Sequence, residues 1–395
     1  MRRFRGRAHP CAPRARRANP CTMEISDAKS GVLSAEMVAA LMDAGAVVGA
    51  DPARLQPASL DLSLGARAWR VRASFLPSGG RSLADRLSDG PSPRQSGAGR
   101  AGGLAMQEID LGPGAVFERG CVYLVELAER LCLPQTIAGG ANPKSSTGRI
   151  DVFVRLVVDG AAAFDEIPMG YEGPLYAEIS PRTFSIRARA GSSLNQLRLK
   201  QGSCRLDDAA LKVLHAQSPL VDGAANIEGG LGLSVALSNG ANVVGWRARR
   251  HSALIDVDET GALDPNEYFE ALTPQKSGFI ILDPDEFYIL ASKEALVIPP
   301  DYAAEMTPIS PGLGEFRVHY AGFFDPGFGW RESGGAGARA VLEVRSRETP
   351  FVLEDGQLVA RLVYERMAAR PGALYGADLR SNYQGQGLKL SKHFR

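Results

Sequence analysis

Short apolar runs broken by Gly, Pro and Asp recur along most of the chain: VYLVEL, DVFVRLVV, PLYAEIS and FSIRARA, then FYILAS, EFRVHYAGFF, AVLEVRS and LVARLVYERM. Their length and their β-branched and aromatic content predict strands joined by turns. A helical period is weaker and clearest in SAEMVAALMDAGAV, where Ser34 is placed to cap and Met37 to Leu41 to face inward. Many short strands with frequent turns predict a mainly all-β chain, a sandwich or barrel, with a few short helices. Residues 77–104, PSGGRSLADRLSDGPSPRQSGAGRAGGL, break the pattern and read as a flexible inserted loop.

The pattern repeats. CVYLVELAERLCLPQTIA at 121–138 overlays EFYILASKEALVIPPDYA at 286–303 at an offset of 165, with Tyr123 on Tyr288, Glu129 on Glu294, Leu131 on Leu296 and Pro134 on Pro299. The same offset sets Ser145 on Ser310, Glu178 on Glu343, Gly191 on Gly356 and Leu197 on Leu362. Two copies of one domain are the economical account. We place a first domain at 31–205 and a second at 206–395, after a leader at 1–30.

The 395 residues suffice for two domains with separate cores. Acidic and basic residues nearly cancel, so no global positive field favours nucleic acid. The leader is the exception: seven arginines within residues 1–17, no acidic residue and no apolar run read as disorder or a start upstream of the true one at Met23. The absence of an apolar run of about eighteen residues predicts no membrane span. Five scattered cysteines without a C-x-x-C pair argue for a reducing, cytoplasmic compartment and against a disulfide framework or zinc site, with Cys121 and Cys132 as core residues.

The chemistry is first constrained by what is missing. Zinc-dependent nucleobase deaminases need H-x-E with P-C-x-x-C, and no histidine here has Glu two residues later. A Walker loop, a G-x-S-x-G elbow and an H-E-x-x-H helix are also absent. What remains is ANPKSSTGRI at 141–150, a polar stretch that reads as a surface turn on composition alone.

PKSSTGR followed by GYEGPLYAE, then FFDPGFG before AVLE, then YGADLRSNYQGQGLKLS at 375–391, resembles the dCTP deaminases of the trimeric dUTPase superfamily, and most closely their long, two-domain form. The resemblance spans most of residues 55–395. It implies two tandem dUTPase-like distorted β-barrel or jelly-roll domains and a tail, 375–395, that closes over a nucleotide. It also implies hydrolytic deamination of dCTP to dUTP and ammonia in dTTP-precursor synthesis, without zinc and with Mg²⁺ carried by the triphosphate. The carboxylate that moves protons would be Glu178 or Glu343, with Arg149 and Ser145 holding the water and stabilising charge. Lys144, Ser146, Gln196, Asp325, Gly327, Tyr375, Asn382, Tyr383 and Gln386 fall on nucleotide-binding positions; Asn382 stands where the family usually has Lys. The partners implied are dCTP or dUTP, dTTP as an inhibitor, and further copies of the chain in a homo-oligomer.

The copies are not equivalent, because Gly314 stands opposite Arg149 and Pro311 opposite Ser146. Two arrangements follow: donors of the first copy face Glu343 of the second in a composite site, or they stay with Glu178. Rival functions are a dUTP diphosphatase, a bifunctional deaminase that forms dUMP, and a non-catalytic nucleotide sensor.

Overall fold

A computed structural model describes residues 29–77, 80–88, 103–238, 240, 242–310, 316–319, 322–346, 348–376, 383, 385 and 387–395. The chain is mostly strand. In the first copy one sheet runs in the order Val152–Val157, Glu172–Pro181, Val122–Cys132, Leu64–Val71, Ala105–Asp110. It is faced by a second sheet ordered Glu166–Ile167, Ile137–Pro143, Asn195–Gln201, Ser59–Asp61, Leu55–Gln56. The second copy repeats both: Phe316–His319, Ala338–Ser346, Tyr288–Leu296 and Gly245–Ala248 in one, Phe323–Phe324, Tyr302–Pro308, Leu358–Arg366 and Leu231–Ser234 in the other.

The offset read from the letters is also an offset of hydrogen bonds. Glu118 N donates to the Tyr123 hydroxyl at 3.0 Å, and Asp283 N, 165 residues on, donates to the Tyr288 hydroxyl at 2.9 Å. Gly120 and Asp285 at the matching turn both hold positive φ, 79° and 61°. Glu129 accepts from Ser63 N, and Glu294 from Ser234 N, so in each copy a glutamate of the matching strand holds the backbone N–H of a serine.

Alternation explains the two faces of these strands. In Val122–Cys132, Tyr123, Val125, Leu127 and Leu131 point into the main core, while Leu124 points to the opposite face and packs with Trp69, Val157 and Tyr176. The main core crosses the copies: Ile255, Tyr268, Phe269, Phe287, Ile289, Leu390 and Phe394 join the same cluster as Phe117, Phe184 and Ile186. A parallel pairing of Ile186 with Ile255 reinforces that seam. A separate core built on Leu290, Leu342, Leu362 and Tyr364 fills the second copy.

Several local expectations change. The helix forms over Ala35–Asp43 with Ser34 at its N-cap, but the Ser34 hydroxyl donates to Glu36 Oε2 at 2.7 Å instead of accepting from the helix. FSIRARA supplies only the short strand Ile186–Ala188, and EFRVHYAGFF splits into two strands. A helix over Asp208–Gln217, capped by Asp207, opens the second copy where the sequence read only as polar. Part of the expected flexible insert, Leu83–Ser88, is helical, and Leu83 and Leu87 pack on Trp69 and Tyr176; most of the remaining insert, like residues 1–28, lies outside the described residues. Cys121 and Cys204 are free thiols, and Cys121 and Cys132 are both half-buried, not simple core residues.

Candidate active site

The strand Ile137–Pro143 ends at a proline, and Ser145–Gly148 then make a single helical turn with Lys144 and Arg149 as its caps. Small side chains let this polar turn sink into the protein: Ser146, Thr147 and Gly148 are buried, and Arg149 is 3% exposed. It is held from both sides. Lys144 N donates to Leu194 O at 3.0 Å, and the tail residue Ser391 donates its hydroxyl to Ser146 O at 2.8 Å. Ser391 Oγ also lies 2.8 Å from His393 Nδ1, whose ring contacts Val257 O through Nε2 at 3.1 Å.

The second copy brings its strand Ala338–Ser346 against that turn. Alternation puts Val341, Glu343 and Arg345 on one face of the strand, and that face meets the first copy. Arg149 Nε lies 3.9 Å from Glu343 Oε1, its Nη1 donates to Lys389 O at 2.9 Å, and its guanidinium stacks 4.0 Å from the Tyr383 ring centre. Nε itself makes no hydrogen bond among the described residues. Glu343 is 4% exposed, and burial pushes its carboxyl up to about 8; nearby Arg149 pulls the other way without prevailing, and Asp151 adds to the rise. Burial likewise lowers the Arg149 guanidinium, opposed by Tyr383 and Glu343. Both groups lose more from missing water than they recover from one another at this separation.

A cleft of about 250 Å³ opens here between the copies. The first copy lines it with Lys144, Ser145, Ser146, Arg149 and Gln196, the second with Asp325, Glu343, Tyr375 and Tyr383. Gly327 shapes the wall behind Asp325: its φ is 98°, and a Cβ there would meet Leu374 and Tyr375 at 2.8 Å. Asn382 and Gln386 lie outside the described residues.

Glu178 is elsewhere. Its carboxylate accepts from Arg155 Nη2 at 2.5 Å and Nε at 3.1 Å, and Arg155 lies 3.5 Å over the Phe164 ring. The strand face that meets the first copy around Glu343 is, around Glu178, covered by Tyr176, Leu83 and Leu87. The described geometry therefore groups Ser145, Ser146 and Arg149 with Glu343 and not with Glu178.

Sequence reasoning did not single out several residues of the cleft. Asp61 lines it and ion-pairs with Lys144. Lys392 also lines it, its ammonium lowered by burial and by the nearby charge of Lys144. Arg198 is fully buried and reaches from the first copy to Asp325 Oδ1 at 3.2 Å, Phe324 O at 3.3 Å and Ala304 O at 3.0 Å, fixing the DPG turn of the second. Burial holds Asp325 above the usual carboxylate range, with Arg198 opposing. Nothing in the repeat marks Arg198, because apart from Ala58 O its partners come from the other copy.

Comparison with known proteins places these residues in context. Residues 29–203 match the N-terminal domain of 2′-deoxycytidine 5′-triphosphate deaminase (DCD), and residues 207–394 match its C-terminal domain. The crystal structure of 2′-deoxycytidine 5′-triphosphate deaminase from Agrobacterium tumefaciens is 49% identical, with a TM-score of 0.79 over 86% of this chain and 99% of that one. Shorter relatives match about a third of the chain. A dCTP deaminase of Natronomonas pharaonis is 28% identical over 33% of this chain and 64% of its own length. A dUMP-forming dCTP deaminase of Clavibacter michiganensis is 31% identical over 35% of this chain and 70% of its own. The chain thus spans just under two thirds of the first of these curated relatives.

Proposed function

Because the chain belongs to the 2′-deoxycytidine 5′-triphosphate deaminase family, we propose that it hydrolyses dCTP to dUTP and ammonia in a composite cleft between its two copies. The observation that carries this reading is Arg149 set against Glu343 across that cleft. Deamination forms a C–O bond at C4 of cytosine and breaks the C–N bond there. One group must therefore take a proton from water and return protons to the ring and the leaving nitrogen.

Glu343 suits that alternation, since a carboxyl near 8 exists in both forms at neutral pH. Arg149 and Ser145 are the fixed donors for the attacking water and the charge that develops on it, in a site where little water competes. Lys144 and Lys392, close enough to feel one another's charge, suit a polyanion, with Ser146 beside them. Tyr375, Tyr383, Gln196 and Asp325 complete the nucleotide pocket. Mg²⁺ would arrive on the triphosphate, since the cleft carboxylates Asp61 and Asp325 are engaged by Lys144 and Arg198. In this reading the enzyme acts on a free nucleotide, with dTTP as a candidate inhibitor at the same pocket and a homo-oligomer as the working form. No described helix is long and apolar enough to cross a membrane.

The dUMP-forming relatives keep one alternative open, in which the same cleft also releases pyrophosphate. A product assay with dCTP and Mg²⁺ tests the reading. Ammonia without pyrophosphate supports the deaminase, both products move it to the dUMP-forming reaction, and neither product overturns it.

A further inference from the structure

Two residues beyond Arg149 and two residues beyond Glu343 lies a second charged pair with the polarity reversed. Asp151 is fully buried, and Arg345 reaches it from the second copy with Nε at 3.3 and 3.2 Å from its two oxygens and with Nη2 on Oδ2. Thr183 donates to Asp151 Oδ2 at 2.5 Å and accepts from Arg345 Nη2 at 2.7 Å, while Arg345 Nη1 donates to Asp285 O at 2.6 Å. Asp151 also holds φ at 54°, in the left-handed region that favours glycine. Aspartate tolerates that region better than most residues, and its carboxylate here meets both Arg345 and Thr183.

Its main chain ties it to the serine turn. Asp151 N donates to Gly148 O at 2.9 Å, and Arg182 N donates to Asp151 O at 2.9 Å. The pair therefore joins the end of the turn that carries Arg149 to the strand that carries Glu343. We infer that Asp151 and Arg345 are positioning residues, a clamp across the two copies that sets the distance between Arg149 and Glu343. The Arg149–Glu343 contact is long and makes no hydrogen bond of its own, so it does not fix that distance unaided. The bidentate neighbour does.

This inference rests on the deaminase reading, and the experiment separates the two. Wild-type protein that releases no ammonia from dCTP overturns the reading. The clamp is tested by two variants. Asp151→Gly with Arg345→Met removes both charges together and suits the left-handed turn, so a purely structural pair would be dispensable. Arg345→Lys keeps the charge and loses the fork.

For both we expect kcat to fall by about tenfold or more, since small misplacement of reacting groups is costly, with KM changed less than about threefold and the folded far-UV spectrum kept. Arg345→Lys should also move the Glu343-governed limb of the pH profile to higher pH, because Arg149 is the charge that holds that carboxyl down. A folded variant with wild-type kcat and an unmoved limb overturns the clamp. A crystal structure of Arg345→Lys reads it independently of turnover: an Arg149–Glu343 separation still at 3.9 Å overturns it, and a wider one supports it. If the double variant does not fold, Arg345→Lys decides alone.

Discussion

At the scale of single residues, two glutamates that look alike in the repeat have opposite surroundings. Glu178 is neutralised by Arg155 under a roof of apolar side chains, while Glu343 faces a cleft with its cation, Arg149, 3.9 Å away and not hydrogen-bonded to it. Glu343→Gln should lower kcat for ammonia release by about 10²- to 10⁴-fold, the usual contribution of a general acid–base group. Glu178→Gln should leave kcat within about threefold and instead destabilise the fold by about 3 kcal/mol, because it strands the Arg155 guanidinium; denaturant unfolding measures this. Equal losses of kcat in both variants would refute the composite site. The pH dependence follows from the same burial. A base that must ionise near 8 makes kcat/KM climb as pH rises through that value. Stability moves the other way: the folded state keeps the Glu343 proton after the unfolded state has released it, so this contribution is complete below about 4.5 and is lost as pH rises through about 8. In Glu343→Gln both slopes should flatten. A wild-type kcat/KM flat from pH 6 to 9 would exclude Glu343 as the base.

At the scale of elements, the strands and their repeat were legible because a turn geometry recurs wherever Gly, Pro and Asp recur at the same spacing, and the tyrosine hydroxyls bonded at matching turns show the two copies obeying one rule. The serine turn and Arg149 could be named for a different reason, their resemblance to a family motif, since the repeat breaks at that turn with Pro311 and Gly314. What could not be read was which partner each element meets. Asp208–Gln217 hid because it is short and follows a polar stretch, and of its apolar residues only Leu211 and Leu214 are buried. Arg198, Asp61 and Lys392 hid because their meaning lies in residues distant along the chain. The tail has the same character: Phe394 lies 5.3 Å from the rings of both Tyr268 and Phe269, and Leu263 N donates to His393 O at 3.1 Å. Burial lowers the His393 imidazole to about 4, so it docks neutral. The unfolded tail binds a proton more readily, and docking should therefore weaken as pH falls from 6.5 towards 4. Amide hydrogen exchange at Leu263 and Arg395, corrected for intrinsic rates, should show faster opening at pH 5 than at 7 in wild type and a smaller difference in His393→Gln. An identical pH response in the two proteins would rule out His393 as the source.

At the scale of the whole molecule, the letters suggested two domains with separate cores, and the packing qualifies that picture. Tyr268, Phe269, Phe287, Leu390 and Phe394 come from the second copy but share one cluster with Phe117, Phe184 and Ile186 of the first. Arg198 and Arg345 add buried charges whose partners lie across the same seam. Separating the copies would expose that apolar surface, at about 25 cal/mol per Å², and would break the charge-assisted hydrogen bonds of both guanidinium groups, a loss largely offset by their hydration. An interface this continuous couples the stabilities of the two halves, so neither half should melt while the other stays folded. Calorimetry should accordingly show one transition whose calorimetric and van't Hoff enthalpies agree, in place of the two expected for independent repeats. Tyr268→Ala, at the seam, should lower that single transition as a whole by about 3 kcal/mol of stability without splitting it. Two resolved transitions in the wild type would show that the copies fold independently. The composite cleft would then be a docking surface between two stable domains, not an interior feature of one cooperative unit.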